Sequence, residues 1–269
     1  FALIYGVLRI VNFAHGATCV VGGYTGYVVV SLAQWPLWSA FVAAAFAGAV
    51  IGWLVERVAF RPFRGKSTTL PMVSSLACAI IIENALAAGF GHTAKSFRGD
   101  LGTIRRHEFL GASITDAQLT ILAVSVSLMC LMFLYIRKTN LGRQTLAVSD
   151  DIDASATWGI DANRVITLNC MFASALASLA GLLIAVDIDI DPYMGTDLTF
   201  KAFTANLLFG VGSLPGSLCG GQSLGLLETL VSGLVSTRYK SAYTFIVLIA
   251  VLLVRPHGIL GVRTRRFET

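Results

Sequence analysis

The chain has 269 residues, of which 55% are hydrophobic and 13% charged, with a mean hydropathy of +0.74. Ordinary soluble domains carry roughly 25% charged residues, so lipid must cover part of this apolar surface. The net charge of +5 does not indicate nucleic-acid binding, because the basic residues stand at the ends of apolar runs, where membrane topology places them.

The apolar runs are long and continuous and lack a period-two alternation. That pattern selects helical spans of about 20 residues over a transmembrane barrel. Phe1–Val11 is too short to span and reads as the tail of a first helix whose start precedes this numbering; it lacks the charged leader of a signal peptide. The spans that follow are Thr18–Leu32, Leu37–Val55, Leu70–Phe90, Leu119–Ile136 and Val165–Val186. Leu198–Val211 and Ser217–Val235 come next, split by Gly212-Ser-Leu-Pro-Gly216, and Tyr243–Val254 is last. The expected fold class is all-α: one polytopic transmembrane bundle over residues 1–269, with about eight spans.

Loop charges orient these spans. Arg57, Arg61, Arg64 and Lys66 follow the third run, Arg137, Lys138 and Arg143 the fifth, and Arg255, Arg263, Arg265 and Arg266 the last, so these ends face the cytoplasm. Asp187–Asp197 holds four aspartates without Lys or Arg and faces outward. Parity also puts Gly91–Asp116 outside, against the charge of its Lys95, Arg98, Arg105 and Arg106. The basic tail returns inside only if Leu198–Val211 and Ser217–Val235 both cross. A discontinuous or re-entrant element with Gly212, Pro215 and Gly216 at its break is therefore expected; the alternative is a tight turn with Pro215 at a helix start.

The loop at 137–164 is polar, patterned and wedged between two spans. Leu146, Ala147, Ala154, Ala156 and Ile160 supply small apolar faces, Asp150, Asp151 and Asp153 cluster between them, and Gly159 stops the run. It reads as a docking element that a soluble cytoplasmic partner grips. The aspartates suit either basic residues on that partner or helix starts.

Chemistry-bearing candidates are few. Arg64-Gly-Lys-Ser-Thr68 imitates the end of a P-loop, but Phe60 stands where that motif needs glycine, and a membrane helix precedes it. Cys19, Cys78, Cys130, Cys170 and Cys219 lie in apolar stretches without metal-ligand spacing and read as small core residues. His15, His92, His107 and His257 are scattered, so neither a metal site nor a catalytic group is expected. Ionisable groups within spans usually face a cavity or the protein interior; here they are Arg9, Glu83, Lys201 and Glu228. Lys201 and Glu228 either pair across the broken segment or snorkel at a membrane edge. Asn12 and His15 interrupt the chain between two helices and either offer hydrogen bonds to a solute or tie down a helix end. Gly22, Gly23 and Gly26, and Gly216, Gly220, Gly221 and Gly225, suit close helix approach.

An ordered set of segments carries a family resemblance. It comprises Asn12-Phe-Ala-His-Gly16, Glu56-Arg57 with Arg61-Pro62, Gly142–Arg164, Lys201-Ala-Phe-Thr204, Gly210–Gly216 and Pro256-His-Gly-Ile-Leu-Gly261. Together they resemble the H-type permease of the branched-chain amino acid ABC importers, the Liv family, whose relatives carry urea and short amides. The resemblance implies a bacterial inner-membrane subunit that forms half of a translocation path and is no enzyme itself. Its implied partners are an M-type permease or a second copy, two cytoplasmic ATPase subunits that hold ATP and magnesium, and a periplasmic binding protein. It also implies that Gly142, Arg143, Ala147, Asp150, Ala154, Gly159 and Ile160 form the coupling loop, closed by Arg164 at the membrane edge. Asn12, His15, Glu83, Lys201 and Glu228 are the candidates for the path. Ala17, Glu83 and Trp158 depart from the family pattern, which leaves the solute open between amino acids, urea and amides. A stand-alone channel is the alternative to an ABC subunit.

Overall fold

A computed structural model of the chain describes residues 1–64, 66–96, 106–109, 112–210, 214–234 and 240–254. Helix α1 (Ala2–Leu8) ends at Arg9, and α2 (Ala14–Tyr27) runs on through a π-helical turn, Val28–Leu32. Helix α3 (Leu37–Val55) continues through a second π turn, Glu56–Phe60, and a 3-10 turn, Arg61–Phe63. After α4 (Thr69–Phe90), the strands β1 (Arg106–Phe109) and β2 (Ala112–Thr115) pair antiparallel, Arg106 opposite Thr115 and Phe109 opposite Ala112. An all-α reading does not anticipate this hairpin; β-favouring Phe109, Ile114 and Thr115 flank the connection that contains Gly111.

The remaining elements are α5 (Asp116–Lys138), α6 (Asn140–Asp150), α7 (Ile152–Thr157), α8 (Ala162–Asp187), α9 (Gly195–Phe209), α10 (Leu214–Leu234) and α11 (Lys240–Val254). Helices α5 and α8 begin before their first long apolar stretch because polar residues cap them. Thr115 and Gln118 form a reciprocal capping box, and Asp161 accepts from the N–H groups of Asn163 and Arg164. Four helical segments are long and apolar enough to cross a bilayer: Leu37–Phe63, Thr69–Phe90, Asp116–Lys138 and Ala162–Asp187. Helix α2 is less apolar because protein, not lipid, surrounds it; Gly22, Gly23, Tyr24 and Thr18 are all buried.

Helix α8 is the axis of the fold. Its buried residues join two apolar clusters. One contains Leu3, Val7, Val55, Phe60, Ile136, Val148 and Ile166, the other Val20, Tyr24, Val30, Leu182, Val186 and Ile190. Between them α2 crosses α8 at van der Waals limit. A Cβ on Gly22 would lie 1.8 Å from the Ser178 carbonyl oxygen, and one on Gly181 would lie 1.7 Å from that of Cys19. On its other side α8 meets α3 through Gly48 and Gly52, whose added Cβ would approach the carbonyls of Ser174 and Cys170 to 2.5 and 2.6 Å. Such approach lets dispersion act between whole backbones, the main source of helix association in lipid.

Apolar side chains face outward from α3, α4, α5, α10 and α11, among them Trp38, Phe46, Ile81, Leu122 and Leu253. Cysteine is only partly a core residue here. Cys19 and Cys170 are buried, whereas Cys130 and Cys219 are exposed on the outer faces of α5 and α10, where a small apolar group also suits lipid.

The two ends of the bundle are recognisable by their contacts. At one end the Lys95 and Ile190 backbones pair, each N–H donating to the other's carbonyl at 2.8 Å, and His92 stacks on Tyr193 with a 3.2 Å hydrogen bond. His92 and Lys95, at the start of the segment that follows α4, thus share the end of the aspartate-rich loop despite the charge of Lys95. At the other end Arg64 bonds Glu56 and Asn163, and Arg9 bonds the Ser149 carbonyl at 3.4 Å. The positive-inside rule leads one to expect this second end on the cytoplasmic side. In a chain stripped of its own cysteines, H92C and Y193C are expected to react with a membrane-impermeant maleimide from outside in intact cells, and D153C only after permeabilisation. The opposite labelling pattern would invert the topology.

Candidate functional site

The loop between α5 and α8 folds into two helices of opposite character. Thr139 starts α6 by accepting from the Gly142 N–H at 2.9 Å. Gly142 sits directly on α5, since a Cβ there would come within 2.3 Å of the Tyr135 carbonyl oxygen. Gly142 is therefore a packing residue that seats α6 on α5. Thr145 and Val148 continue the buried stripe, while Leu146, Asp150 and Arg143 are exposed and Arg143 bonds the Asn140 side chain. Helix α7 projects instead. Asp151 is its N-cap, accepting from the Ala154 N–H at 2.9 Å, so the aspartates divide between helix capping (Asp151) and free exposure (Asp150 and Asp153). Ser155 is its buried residue; Ile152 is 47% exposed and Trp158 86% exposed. Gly159, at φ 76°, reverses the chain in the left-handed region that glycine tolerates best, and Ile160 packs back on the core. Arg164 is exposed in the first turn of α8, and only its backbone N–H is tied, to Asp161.

The polar candidates inside the bundle occupy separate places. The Asn12 amide oxygen accepts from the Ala14 N–H at 3.0 Å, so Asn12, not His15, ties down the start of α2. His15 is buried with its ring edge-on to Phe1, and its Nδ1 has no partner among the described residues. Glu83, on α4, meets the first turn of α9. Its carboxylate accepts from the Thr196 hydroxyl at 3.4 Å and lies 2.7 Å from where a Cβ of Gly195 would be. A carboxylate at a helix N-terminus is favoured by the exposed N–H groups there. Arg9 reaches α6 at the basic end of the bundle, bonding the Ser149 carbonyl.

Lys201 and Glu228 do meet. The Lys201 ammonium lies 3.4 Å from the Glu228 carboxylate and 3.6 Å from Asp197, and Thr244 donates to Glu228 at 2.7 Å. This network joins α9, α10 and α11. Helix α9 ends at Phe209 and α10 begins at Leu214, and the two helices fold back on each other: Ser217 donates to Asn206 at 2.5 Å, and Gly220 abuts the Ala205 carbonyl. Pro215 lies in the first turn of α10 and Gly216 is buried beside it, whereas Gly212 lies outside the described residues. A cavity of about 470 Å³ opens between α1, α5, α8, α9 and α10, with Met129, Met132 and Leu183 on its apolar wall and His15, Asn206 and Ser217 as polar groups.

The chain matches the family model described as the branched-chain amino acid transport system permease component, over residues 1–252. The chain belongs to this family. The Escherichia coli K12 high-affinity branched-chain amino acid transport system permease protein LivH is 35% identical over 278 residues, covering 97% of this chain and 89% of that protein. The Pseudomonas aeruginosa permease protein BraD is 32% identical over 277 residues with the same coverage. Among solved structures, PsaBC from Streptococcus pneumoniae in complex with Fab superposes with a TM-score of 0.48 at 15% identity, covering 95% of this chain and 91% of that one.

The permease holds further polar residues that sequence reasoning passes over. Glu56 is fully buried in the π turn after α3 and pairs with Arg64, which also donates to Asn163 at 2.5 Å, closing α3 onto the start of α8. Asn169 and Thr145 are buried against each other beneath α6. Only the conjunction of Glu56 with a following basic cluster hints at the first. Nothing in the spacing hints at the second, because a lone Asn in an apolar run does not name its partner.

Proposed function

We propose that this permease is the H-type subunit of an ATP-driven importer of branched-chain amino acids in the bacterial inner membrane. It forms half of the translocation path with an M-type permease subunit or a second copy. Two cytoplasmic ATPase subunits bind ATP and magnesium and supply the energy, and a periplasmic binding protein delivers the solute. The observation that carries this reading is the exposed α7 element, projecting from the basic, cytoplasmic end of a chain whose family match runs from residue 1 to 252. Helix α7 offers the ATPase an exposed Trp158 and Ile152 with Asp150 and Asp153 beside them. Large aromatic anchors at the centre of a contact commonly carry most of its energy. The ATP chemistry belongs to the partners. The P-loop-like Arg64 is committed to Glu56 and Asn163, which supports a structural role for that segment.

Two substitutions test the coupling role. Gly159→Pro forces φ to about −65° where the chain needs +76°, so α7 is re-aimed. Asp150→Arg reverses a charge on the exposed face. Both are expected to leave the protein in the membrane and lower ATP-dependent leucine uptake about tenfold or more, while ATP hydrolysis by the assembled complex continues. Normal uptake in both variants would remove α7 from coupling. ATP-independent leucine flux through the lone, reconstituted protein would favour a channel instead.

A further inference from the structure

Transport by an ABC permease requires that movement at the cytoplasmic element reach the helices in the bilayer, and α7 itself is poorly placed to transmit anything. It is a single short helix whose only buried side chain is Ser155. Helix α6 is different. It is fixed to the bundle at its start by Gly142 against α5, in its middle by buried Val148, and at its end by Arg9 on the Ser149 carbonyl. Arg9 reaches that carbonyl from a left-handed backbone, φ 51°, that a non-glycine residue seldom adopts.

The strongest of these fixings is polar and buried. The side-chain amide of Asn169, on α8, donates to the Thr145 hydroxyl on α6 at 2.8 Å and to the Val165 carbonyl at 2.9 Å. The Asn169 amide oxygen accepts from the Tyr135 hydroxyl on α5 at 3.4 Å. The Thr145 hydroxyl passes its own proton to the Leu141 carbonyl at 2.7 Å. Both amide hydrogens and the amide oxygen of Asn169 are therefore used, with the residue only 2% exposed. Tyr135 is held in turn by stacking on Phe172 of α8, ring centroids 4.2 Å apart. An amide satisfied this completely, away from water, fixes the relative position of the helices it joins, because any slippage leaves a buried donor unpaired.

We propose that Asn169 and Thr145 are the positioning residues of coupling: they make α6 and α8 one rigid body, so that displacement of α7 by the ATPase moves α8. The geometry extends the consequence inward. Helix α8 meets α2 backbone to backbone at Gly22 and Gly181, and α2 meets α9 at Gly16, whose N–H donates to Thr199 at 2.9 Å. A body so closely packed moves as a unit instead of bending at each contact. The inference rests on the proposed role as an ATPase-driven permease.

The test uses the complete transporter in proteoliposomes, with the wild-type chain, T145V, T145S and N169L, measuring assembled complex, ATP hydrolysis and leucine uptake. Valine nearly copies threonine in shape but cannot accept the amide hydrogen; serine can. T145V and N169L are expected to assemble with the ATPase subunits at wild-type stoichiometry, hydrolyse ATP, and take up about tenfold less leucine per ATP, on the scale of one lost buried hydrogen bond with its desolvation cost. T145S is expected to keep the wild-type ratio. An unchanged ratio in T145V and N169L would overturn the proposal, as would uptake that falls only in proportion to the complex recovered. Equal loss in T145S and T145V would overturn it too, since the hydroxyl would not matter. Absence of ATP-driven uptake by the wild-type complex would instead strike the functional reading itself.

Discussion

Replacing Gly181 with valine is expected to give no transport and little protein in the membrane, the largest effect of any single substitution considered. The added Cβ alone would lie 1.7 Å from the Cys19 carbonyl oxygen and 2.4 Å from its carbon. These are backbone atoms, so no rotamer change relieves the clash, and the helices must separate. A Cβ added at Gly22 on the facing helix would lie 1.8 Å from the Ser178 carbonyl oxygen, so valine there is expected to behave alike. Overpacking a core typically costs about 1–3 kcal/mol; here the cost is expected at or above that range, because separation also opens the contacts of α3 with the same stretch of α8. Gly221→Ala is the control. Beyond its own helical backbone, no atom of the described residues lies within 4 Å of its added Cβ, and alanine gains up to about 1 kcal/mol of helix propensity over glycine. The readouts are the amount of each variant in the membrane and its thermal unfolding midpoint in detergent. Normal accumulation of Gly181→Val would mean that α2 and α8 do not cross there. A loss confined to transport in Gly221→Ala would mark the exposed face of α10 as a subunit contact.

These glycines also show how far the sequence could be read. Glycine clustering announces a helix face small enough for close approach, and Gly22, Gly23 and Gly220 are approached. It cannot say whether a neighbour arrives, and among the described residues none covers Gly221 or Gly225. The four long apolar helices were legible because hydropathy is a local property, and helix ends less so because caps such as Thr115 and Asp161 extend helices into polar sequence. The connection between α5 and α8 was legible as a distinct element from its polar patterning between apolar runs. Its division of labour was not: Gly142, assigned by resemblance to coupling, turns inward onto α5, and Asp151 is spent on capping. Burial of every third residue along α6, at Gly142, Thr145 and Val148, depends on where α5 and α8 lie, which is tertiary information. Asn169 was invisible for the same reason.

The Lys201–Glu228 pair was one of two open readings in the sequence, and its expected energetics follow from the geometry. Removing one member of a buried ion pair commonly costs about 3–5 kcal/mol, because the other charge is left desolvated. Here the side chains are 22% and 10% exposed, which puts the cost toward the lower part of that range. The two partners are not equivalent. Lys201 sits 3.4 Å from Glu228 and 3.6 Å from Asp197, so Lys201→Met strips two carboxylates of one cation, and Glu228 keeps the Thr244 hydroxyl. Glu228→Leu leaves the ammonium beside Asp197 and is expected to destabilise less. The double variant carries neither charge and should recover part of the loss, with a coupling energy of about 1–3 kcal/mol in a double-mutant cycle. Thermal or detergent-denaturation midpoints of the four proteins provide the measurement. Strict additivity would show that the two side chains snorkel independently to the membrane edge. A double variant that is stable yet silent in uptake would place the pair on the solute's path, in addition to its role in holding α9, α10 and α11 together.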